Sequence, residues 1–298
     1  MSFFQVSLVF KSFQETHDSN LLSEPENFSV DGAVQIYLNF SKNERIGLWA
    51  ISAEDNRSEK VKIGCDKLFC NNKTTIFYLH GSTGHRGKSY RVELYKTLRS
   101  FGYNIVTFDY RGFGDSSDTD LSVNSVVDDA KFVFDWLQNG NDGNNENKIL
   151  VLGHSLGSAV ATHLLSKYSD LKTCGLVLMA PFNNMADVIY LHSWTWPWRL
   201  LLPKYIFSWI FSPKKEVNFQ PDHHIQNINS PILILHSFDD SVININLAKH
   251  LFKTKMAKVS KESHHVQFVE LIKPYGHNEI YRAKELPGLL SKFNDYCL

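Results

Sequence analysis

Hydrophobic residues in this chain fall into short unbroken runs, and stretches with helical periodicity separate these runs. Runs of this kind, rich in β-branched and aromatic residues, predict strands that are buried on both faces; they cover residues 75–79, 104–108, 149–152, 175–179, 231–235 and 266–272. Between them, apolar side chains recur at helical spacing in residues 92–101 and 123–137. The alternation predicts an α/β fold with a mostly parallel central sheet and helices on both faces.

The rest of the chain divides into an N-terminal extension, one domain and an insertion. Residues 34–40 and 45–52 alternate apolar and polar side chains, which predicts an antiparallel pair at the start of the sheet. Residues 1–30 are polar and irregular, so we assign an N-terminal extension there and a single domain to residues 31–298. Residues 186–222 break the alternation and hold four of the chain's six tryptophans, which predicts an inserted helical cap. Its candidate substrate-contacting residues are Trp194, Trp196, Trp198 and Trp209.

Charge, cysteine content and hydrophobicity exclude several classes of protein. Lysine plus arginine equals aspartate plus glutamate at 31 each, so no overall field attracts nucleic acid, and we predict no nucleic-acid partner. The four cysteines show no pairing of the metal-site type. The first apolar stretch, residues 3–10, is interrupted by polar residues and is too short for a membrane span, so we predict no membrane anchor in the chain as written.

A five-residue motif follows the third unbroken run. Residues 153–157 read Gly-His-Ser-Leu-Gly, which matches Gly-x-Ser-x-Gly, and a helix-patterned segment comes next. Between a strand and a helix this motif is a nucleophile elbow, a sharp turn that presents the serine hydroxyl outward. We predict that Ser155 is a nucleophile, with an ordinary strand–helix turn as the alternative. His154 is expected to pack within the elbow, with its side chain directed away from the nucleophile.

A serine nucleophile needs a base, and the base needs a third group that orients it. After such an elbow the chain order is an acid and then a histidine. Asp239 and Asp240 follow a buried run, at the carboxyl end of a strand, where the sites of open α/β sheets form. The last run leads into a Pro-Tyr-Gly-His turn that presents His277. We predict that His277 is the general base and that one of the two aspartates orients it; a purely structural histidine is the alternative.

Acyl transfer at such a serine also requires two backbone N–H donors for the negatively charged oxygen of the tetrahedral intermediate. One donor is predicted at Leu156, the residue after the nucleophile. The other is predicted at Ser82, in the loop His-Gly-Ser-Thr-Gly-His that follows the first unbroken run. A glycine-rich surface turn is the alternative interpretation of this loop.

These motifs and their neighbours resemble the α/β-hydrolase-domain-containing protein 12 family, from about residue 74 to residue 294. The stretch Arg-Val-Glu-Leu-Tyr-Lys at residues 91–96 and the double aspartate are more discriminating than the serine motif, which the whole superfamily shares. The other matching stretches are residues 78–81, 86–87, 106–112, 153–157, 181–182, 233–236 and 285–287.

The resemblance implies an α/β-hydrolase fold and a serine hydrolase that acts on lysophosphatidylserine and monoacylglycerols. It implies a triad of Ser155, Asp240 and His277, because the family's aspartate directly precedes a short apolar pair, which here is Val242-Ile243 after one intervening residue. Family members typically carry an N-terminal transmembrane helix that places the catalytic domain on the lumenal side of the endoplasmic reticulum membrane. No such segment is predicted in this chain as written, so the resemblance leaves its localisation open.

We therefore expect a carboxylic ester hydrolase that works through an acyl-enzyme and needs no metal or organic cofactor. The alternatives are an acyl-protein thioesterase, or depalmitoylase, with the same machinery, and a non-catalytic binding module on a hydrolase fold. The expected partners are a lipid substrate and, through the cap, a membrane surface, because tryptophans and basic side chains favour the bilayer interface. Ordinary packing of these rings on the core is the alternative. The basic residues beside them are Arg199, Lys204, Lys214 and Lys215.

Overall fold

A single sheet organises the computed structural model, which describes residues 9–10, 19–53, 73–139, 148–192, 195–203, 205–206, 209, 215–258 and 265–295. Its strands are β1 (Ala33–Asn39), β2 (Arg45–Ile51), β3 (Thr75–Leu79), β4 (Asn104–Phe108), β5 (Ile149–His154), β6 (Gly175–Met179), β7 (Ile232–Ser237) and β8 (Val266–Leu271). Their order is β1-β2-β4-β3-β5-β6-β7-β8. β2 pairs antiparallel with β1 and β4, and the remaining pairs are parallel. The carboxyl ends of the parallel strands therefore meet at one edge of the sheet.

Helices cover both faces of this sheet, as the sequence pattern predicts. They are α1 (Ser89–Ser100), α2 (Val123–Asn139), α3 (Leu156–Lys167), α4 (Met185–Leu191), α5 (Trp196–Leu201), α6 (Pro221–His224), α7 (Ile245–Met256) and α8 (Leu286–Asp295). Apolar side chains of α2, α3 and α7 pack in the core on one face. Those of α1 and α8 pack in the core on the other. The predicted α/β fold with a mostly parallel sheet and helices on both faces is confirmed.

The unbroken apolar runs are buried because alternate residues of each strand enter different cores. In β3, Phe77 and Leu79 belong to the core that holds α3, whereas Ile76 and Tyr78 belong to the core that holds α1. The last strand departs from the prediction. β8 pairs only with β7 among the described strands, so most of its residues are partly or fully exposed. An edge strand has one uncovered side, which is why this run is not buried on both faces.

The described part of the N-terminal thirty residues packs against the domain. It contains 3₁₀-helices at Ser19–Ser23 and Pro25–Phe28. The side chain of Leu22 is fully buried, and its carbonyl accepts a hydrogen bond of 2.9 Å from the Trp49 indole. Phe10 is buried as well, with its ring edge-on to Phe113 and Phe219.

Between β6 and β7 the chain leaves the sheet and returns to it. This excursion contains α4, α5, a 3₁₀-helix at Lys215–Val217 and α6. It lies in the region where the sequence predicts the cap. Across the described ranges, no helix combines the length and apolar character needed to cross a bilayer.

Candidate active site

Ser155 stands in the turn between β5 and α3, at the edge of the sheet where the parallel strands end. Its φ of 54° and ψ of −119° lie in a region that costs a non-glycine residue about 1–3 kcal/mol. The turn also demands glycine on both sides. A Cβ on Gly153 would overlap the carbonyl of Gly157, and a Cβ on Gly157 would overlap the carbonyl of Leu79. The Gly-x-Ser-x-Gly pattern is thus required by the close packing of α3 on the sheet.

Backbone hydrogen bonds hold the strained serine in place. The Ser155 N–H donates to the carbonyl of Met179 in β6 at 2.9 Å. The Ser155 carbonyl accepts from both the N–H and the hydroxyl of Ser158, at 3.0 and 2.5 Å. These bonds leave the side chain as the group of Ser155 that faces the cavity described below.

His277 and Asp240 form the second part of the site. His277 Nδ1 lies 2.7 Å from Asp240 Oδ2, although 37 residues separate the two in the chain. Oδ1 of Asp240 accepts the N–H groups of Val242 and Ile243 at 2.8 and 2.9 Å. Burial alone would raise the pKa of the Asp240 carboxyl, but hydrogen bonds from His236, His277 and the Ile243 N–H hold this pKa well below its ordinary value. Asp240 is therefore ionised and can orient His277 with the proton on Nδ1.

Asp239 makes different contacts. Its Oδ1 accepts hydrogen bonds from the Ser237 hydroxyl at 2.5 Å and from the Gly276 N–H at 3.0 Å. It therefore anchors the turn that carries His277, and it does not touch the imidazole. Chain order alone left both carboxylates open and the family resemblance implied Asp240; in the structure Asp240 is the one that contacts the histidine.

His154 contacts the same turn from the side of the elbow. It is buried as expected, but its Nε2 lies 2.9 Å from the carbonyl of His277 and the two rings are 5.0 Å apart. Burial, then the nearby His277, lowers the pKa of His154 from 6.5 to about 3. His154 is neutral at physiological pH and donates from Nε2, because its partner is a carbonyl oxygen. No feature of the sequence distinguishes this contact from simple packing.

The two predicted oxyanion donors lie beside Ser155. Leu156 is the first residue of α3, so its N–H has no acceptor within the helix. Ser82 follows Gly81, whose added Cβ would lie 3.3 Å from the Cβ of Ser155. Ser82, Ser155 and Leu156 line one cavity.

Apolar side chains make up most of the lining of that cavity. Residues of α4 contribute Met185, Val188 and Ile189, and the N-terminal segment contributes Val9. None of these was singled out in the sequence, because an apolar side chain on a helix has the same pattern whether it faces a core or a ligand. The remaining lining residues are Phe182, His192, Val242 and Ile243.

The cap tryptophans do not line this cavity where they are described. Trp196, Trp198 and Trp209 are 58%, 47% and 82% exposed, so these three rings lie on the surface of the cap. Trp194 lies outside the described residues. Leu200, Leu201 and Tyr205 are also exposed, which makes this part of the cap an apolar surface rather than core packing. In the described ranges, no cluster of three or more His, Cys, Asp or Glu is arranged to hold a metal ion.

Comparison with known proteins gives consistent results. A family model described as serine aminopeptidase, S33, matches residues 71–222. Lysophosphatidylserine lipase ABHD12 of Danio rerio is 33% identical over 97% of this chain and 76% of its own length. Two solved structures are each 18% identical to this chain. An esterase of Pyrococcus furiosus has a TM-score of 0.65, covering 91% of this chain and 92% of its own. An α/β-hydrolase of Vibrio vulnificus has a TM-score of 0.67, covering 100% and 93%. These likenesses show the α/β-hydrolase fold.

Proposed function

This chain belongs to the lysophosphatidylserine lipase ABHD12 family, and we propose that it hydrolyses the fatty-acyl ester of a lysophospholipid, lysophosphatidylserine in the first place, or of a monoacylglycerol. The observation that carries the proposal is the combination of an elbow serine, a His277–Asp240 pair at 2.7 Å and an apolar cavity beside the serine. The chain is an ester hydrolase, and the identity of its substrate is what we propose.

The proposed chemistry runs through an acyl-enzyme. Since Nδ1 of His277 donates to Asp240, its Nε2 carries a lone pair and can take the proton of the Ser155 hydroxyl. The serine oxygen attacks the ester carbonyl, and the N–H groups of Ser82 and Leu156 stabilise the resulting oxyanion. The intermediate expels the glycerol oxygen of the head group, which receives the proton from His277. Water, deprotonated by His277, then hydrolyses the acyl-enzyme and releases the fatty acid.

The lining of the cavity supports a long acyl chain as the bound group. Met185, Val188, Ile189 and Phe182 offer only hydrocarbon or thioether surface. Each methylene that a substrate buries against such surface contributes about 0.8 kcal/mol. A fatty-acyl ester therefore gains binding energy that a short, polar ester cannot.

The exposed cap supports a lipid surface as the place where this substrate is taken up. Trp196, Trp198 and Trp209 lie in the same excursion as α4, which lines the cavity. Aromatic rings of this kind favour the interface between water and hydrocarbon. The sequence also places Arg199 and Lys204 among them, and basic residues favour anionic head groups. We include contact of the cap with a membrane surface in the proposal.

The test uses purified full-length protein, a fluorophosphonate probe and a panel of lysophospholipids, monoacylglycerols and acyl thioesters. Labelling of the wild type, no labelling of Ser155→Ala, and fastest turnover of lysophosphatidylserine would support the proposal. Turnover restricted to thioesters would instead support a depalmitoylase. If the protein shows no labelling and turns over no substrate, hydrolysis is refuted and a non-catalytic binding module is the remaining interpretation.

A further inference from the structure

A fully buried arginine holds the loop that carries the predicted oxyanion donor Ser82. Arg91 lies in the first turn of α1 and has no exposed surface. Its Nη1 donates to the carbonyl of His85 at 2.6 Å. Its Nη2 donates to the carbonyls of Thr83 at 2.6 Å and Gly81 at 3.2 Å. One guanidinium therefore ties three carbonyls of a five-residue stretch.

The partners of this guanidinium are unusual for a buried charge. The neighbouring Arg86 is equally buried, but it forms ion pairs with Asp109 at 2.5 Å and Asp115 at 2.6 Å. Arg91 has no carboxylate partner within ion-pair distance in the described part of the chain, and its hydrogen bonds to residues 81, 83 and 85 go to backbone carbonyls. Burying a charge is costly unless hydrogen bonds compensate it. Such an arrangement stabilises one conformation of the loop above all others, because any other conformation would leave the charge unpaired.

The conformation that it stabilises orients the N–H of Ser82. A peptide unit is planar and trans, so its carbonyl and its N–H point in opposite directions. The carbonyl of Gly81 accepts from Arg91 and from Nδ1 of His80, which lies 2.7 Å away. With that carbonyl held on the buried side, the N–H of Ser82 points the other way, to the side where Ser82 and Ser155 line the cavity.

The backbone at Gly81 needs hydrogen bonds that restrain it. A Cβ on Gly81 would lie 3.3 Å from the Cβ of Ser155, so the close approach favours glycine. Glycine, however, restrains its own backbone less than any other residue. Without the two donors, the Gly81–Ser82 peptide could rotate and turn its carbonyl toward the cavity, where an oxygen would repel the developing oxyanion.

We infer that Arg91 is a positioning residue that, together with His80, fixes the Gly81–Ser82 peptide so that the Ser82 N–H serves the oxyanion hole. The inference rests on the proposed function, since it presupposes an acyl transfer at Ser155. Arg91 touches no substrate. It acts only through the backbone that it holds.

The experiment compares Arg91→Met, which removes all three hydrogen bonds, with Arg91→Lys, which keeps the charge but not the planar fork. The control is Arg111→Met, because Arg111 also binds a buried group, Asp129 at 2.6 Å, and its contacts in the described part of the chain are with Asp129 and Phe40, outside residues 81–85. The substrate is p-nitrophenyl butyrate, a short ester that depends little on the cap. Active sites are titrated to completion with a fluorophosphonate, so that rates refer to folded enzyme only.

In Arg91→Met, kcat per active site should fall about 100- to 1000-fold, as when one oxyanion donor is lost, with KM nearly unchanged. An alkyl trifluoromethyl ketone forms a tetrahedral oxyanion on the serine. Its inhibition constant should rise by the same factor by which kcat/KM falls. The kcat per active site of Arg91→Lys should lie between those of Arg91→Met and the wild type. If Arg91→Met does not fold, Arg91→Lys alone tests the inference. Arg111→Met should lower the melting temperature while kcat per active site stays at the wild-type level.

Wild-type kcat per active site in the Arg91 variants, or unchanged ketone inhibition with a lowered melting temperature, would overturn the inference and make Arg91 purely structural. A wild type that cleaves no ester and takes up no probe would refute the proposed function, and this inference with it. A wild type that cleaves p-nitrophenyl butyrate but no lysophospholipid would refute the proposed substrate alone, and the Arg91 comparison would still decide the inference.

Discussion

Replacing Asp240 by asparagine should abolish most activity without disturbing the fold, and the hydrogen bonds of Asp240 explain why. Oδ1 accepts two backbone N–H groups, from Val242 at 2.8 Å and Ile243 at 2.9 Å. An asparagine can satisfy both only with its carbonyl oxygen in that position. Its NH₂ group then takes the place of Oδ2, 2.7 Å from Nδ1 of His277.

Two donors would then face each other, so His277 must move its proton from Nδ1 to Nε2. In that tautomer Nε2 has no lone pair and cannot accept the proton of Ser155. Loss of the orienting carboxylate in this way lowers kcat about 10⁴-fold, equivalent to about 5 kcal/mol of activation free energy. The two backbone hydrogen bonds survive, so the variant should fold. Its melting temperature should fall below that of the wild type, because the hydrogen bonds from His236 and His277 to the carboxylate are lost.

Asp239→Asn is the matched control, because it makes the same chemical change one residue away. The asparagine oxygen can still accept from the Ser237 hydroxyl and the Gly276 N–H, so only the charge assistance of two hydrogen bonds is lost. We expect the free energy of unfolding to fall by roughly 1 kcal/mol and kcat to fall by less than about tenfold. Both variants are assayed by hydrolysis of p-nitrophenyl butyrate together with thermal unfolding. The reverse ranking of the two variants would refute the assignment and transfer the orienting role to Asp239.

Three further predictions concern other residues. Ser155→Ala should lose probe labelling and at least about a thousandfold of esterase activity with the fold retained, and residual turnover near the wild-type level would contradict the mechanism. The folded-state pKa of His154, about 3, lies below the unfolded value of 6.5, so its neutral form contributes stability that is lost as the pH falls below about 6.5. Between pH 7 and pH 5 this loss amounts to about 2 kcal/mol of the free energy of unfolding. Urea unfolding should show a smaller loss in His154→Gln than in the wild type; an equal dependence of the unfolding free energy on pH in both proteins would contradict this prediction. Replacing Trp196, Trp198 and Trp209 by serine should weaken liposome binding and long-chain hydrolysis but spare a short soluble ester; equal losses on both substrates would make these rings structural.

The sequence by itself determined the order of elements and the chemistry at their ends. Strands between two helix layers need an apolar side chain at every position, so β3 and its neighbours stand out as unbroken runs whatever surrounds them. The elbow is equally local. Gly153 and Gly157 are required by contacts within a few residues of Ser155 and with the adjacent strand, and the motif therefore survives as a readable pattern.

Other features depended on residues that are distant in the chain, and only the tertiary structure decided them. Asp239 and Asp240 are chemically identical neighbours. The family resemblance implies Asp240, but nothing in the physical chemistry of the two residues separates them, because the contact with His277 depends on how β7 and β8 bring their loops together. The contact of His154 with the His277 carbonyl spans 123 residues.

The surface of the cap and the lining of the cavity were undetermined for the same reason. An apolar side chain gives the same sequence pattern whether it faces a core, a ligand or solvent. The sequence therefore left a membrane-facing position and core packing both open for Trp196, and it did not indicate the inward position of Val9. The burial of Arg91 was equally hidden, because its partners are backbone carbonyls, which carry no residue identity. Local patterns record the backbone conformation and burial that each residue requires, whereas a site assembled from several loops depends on distances that exist only in the folded chain.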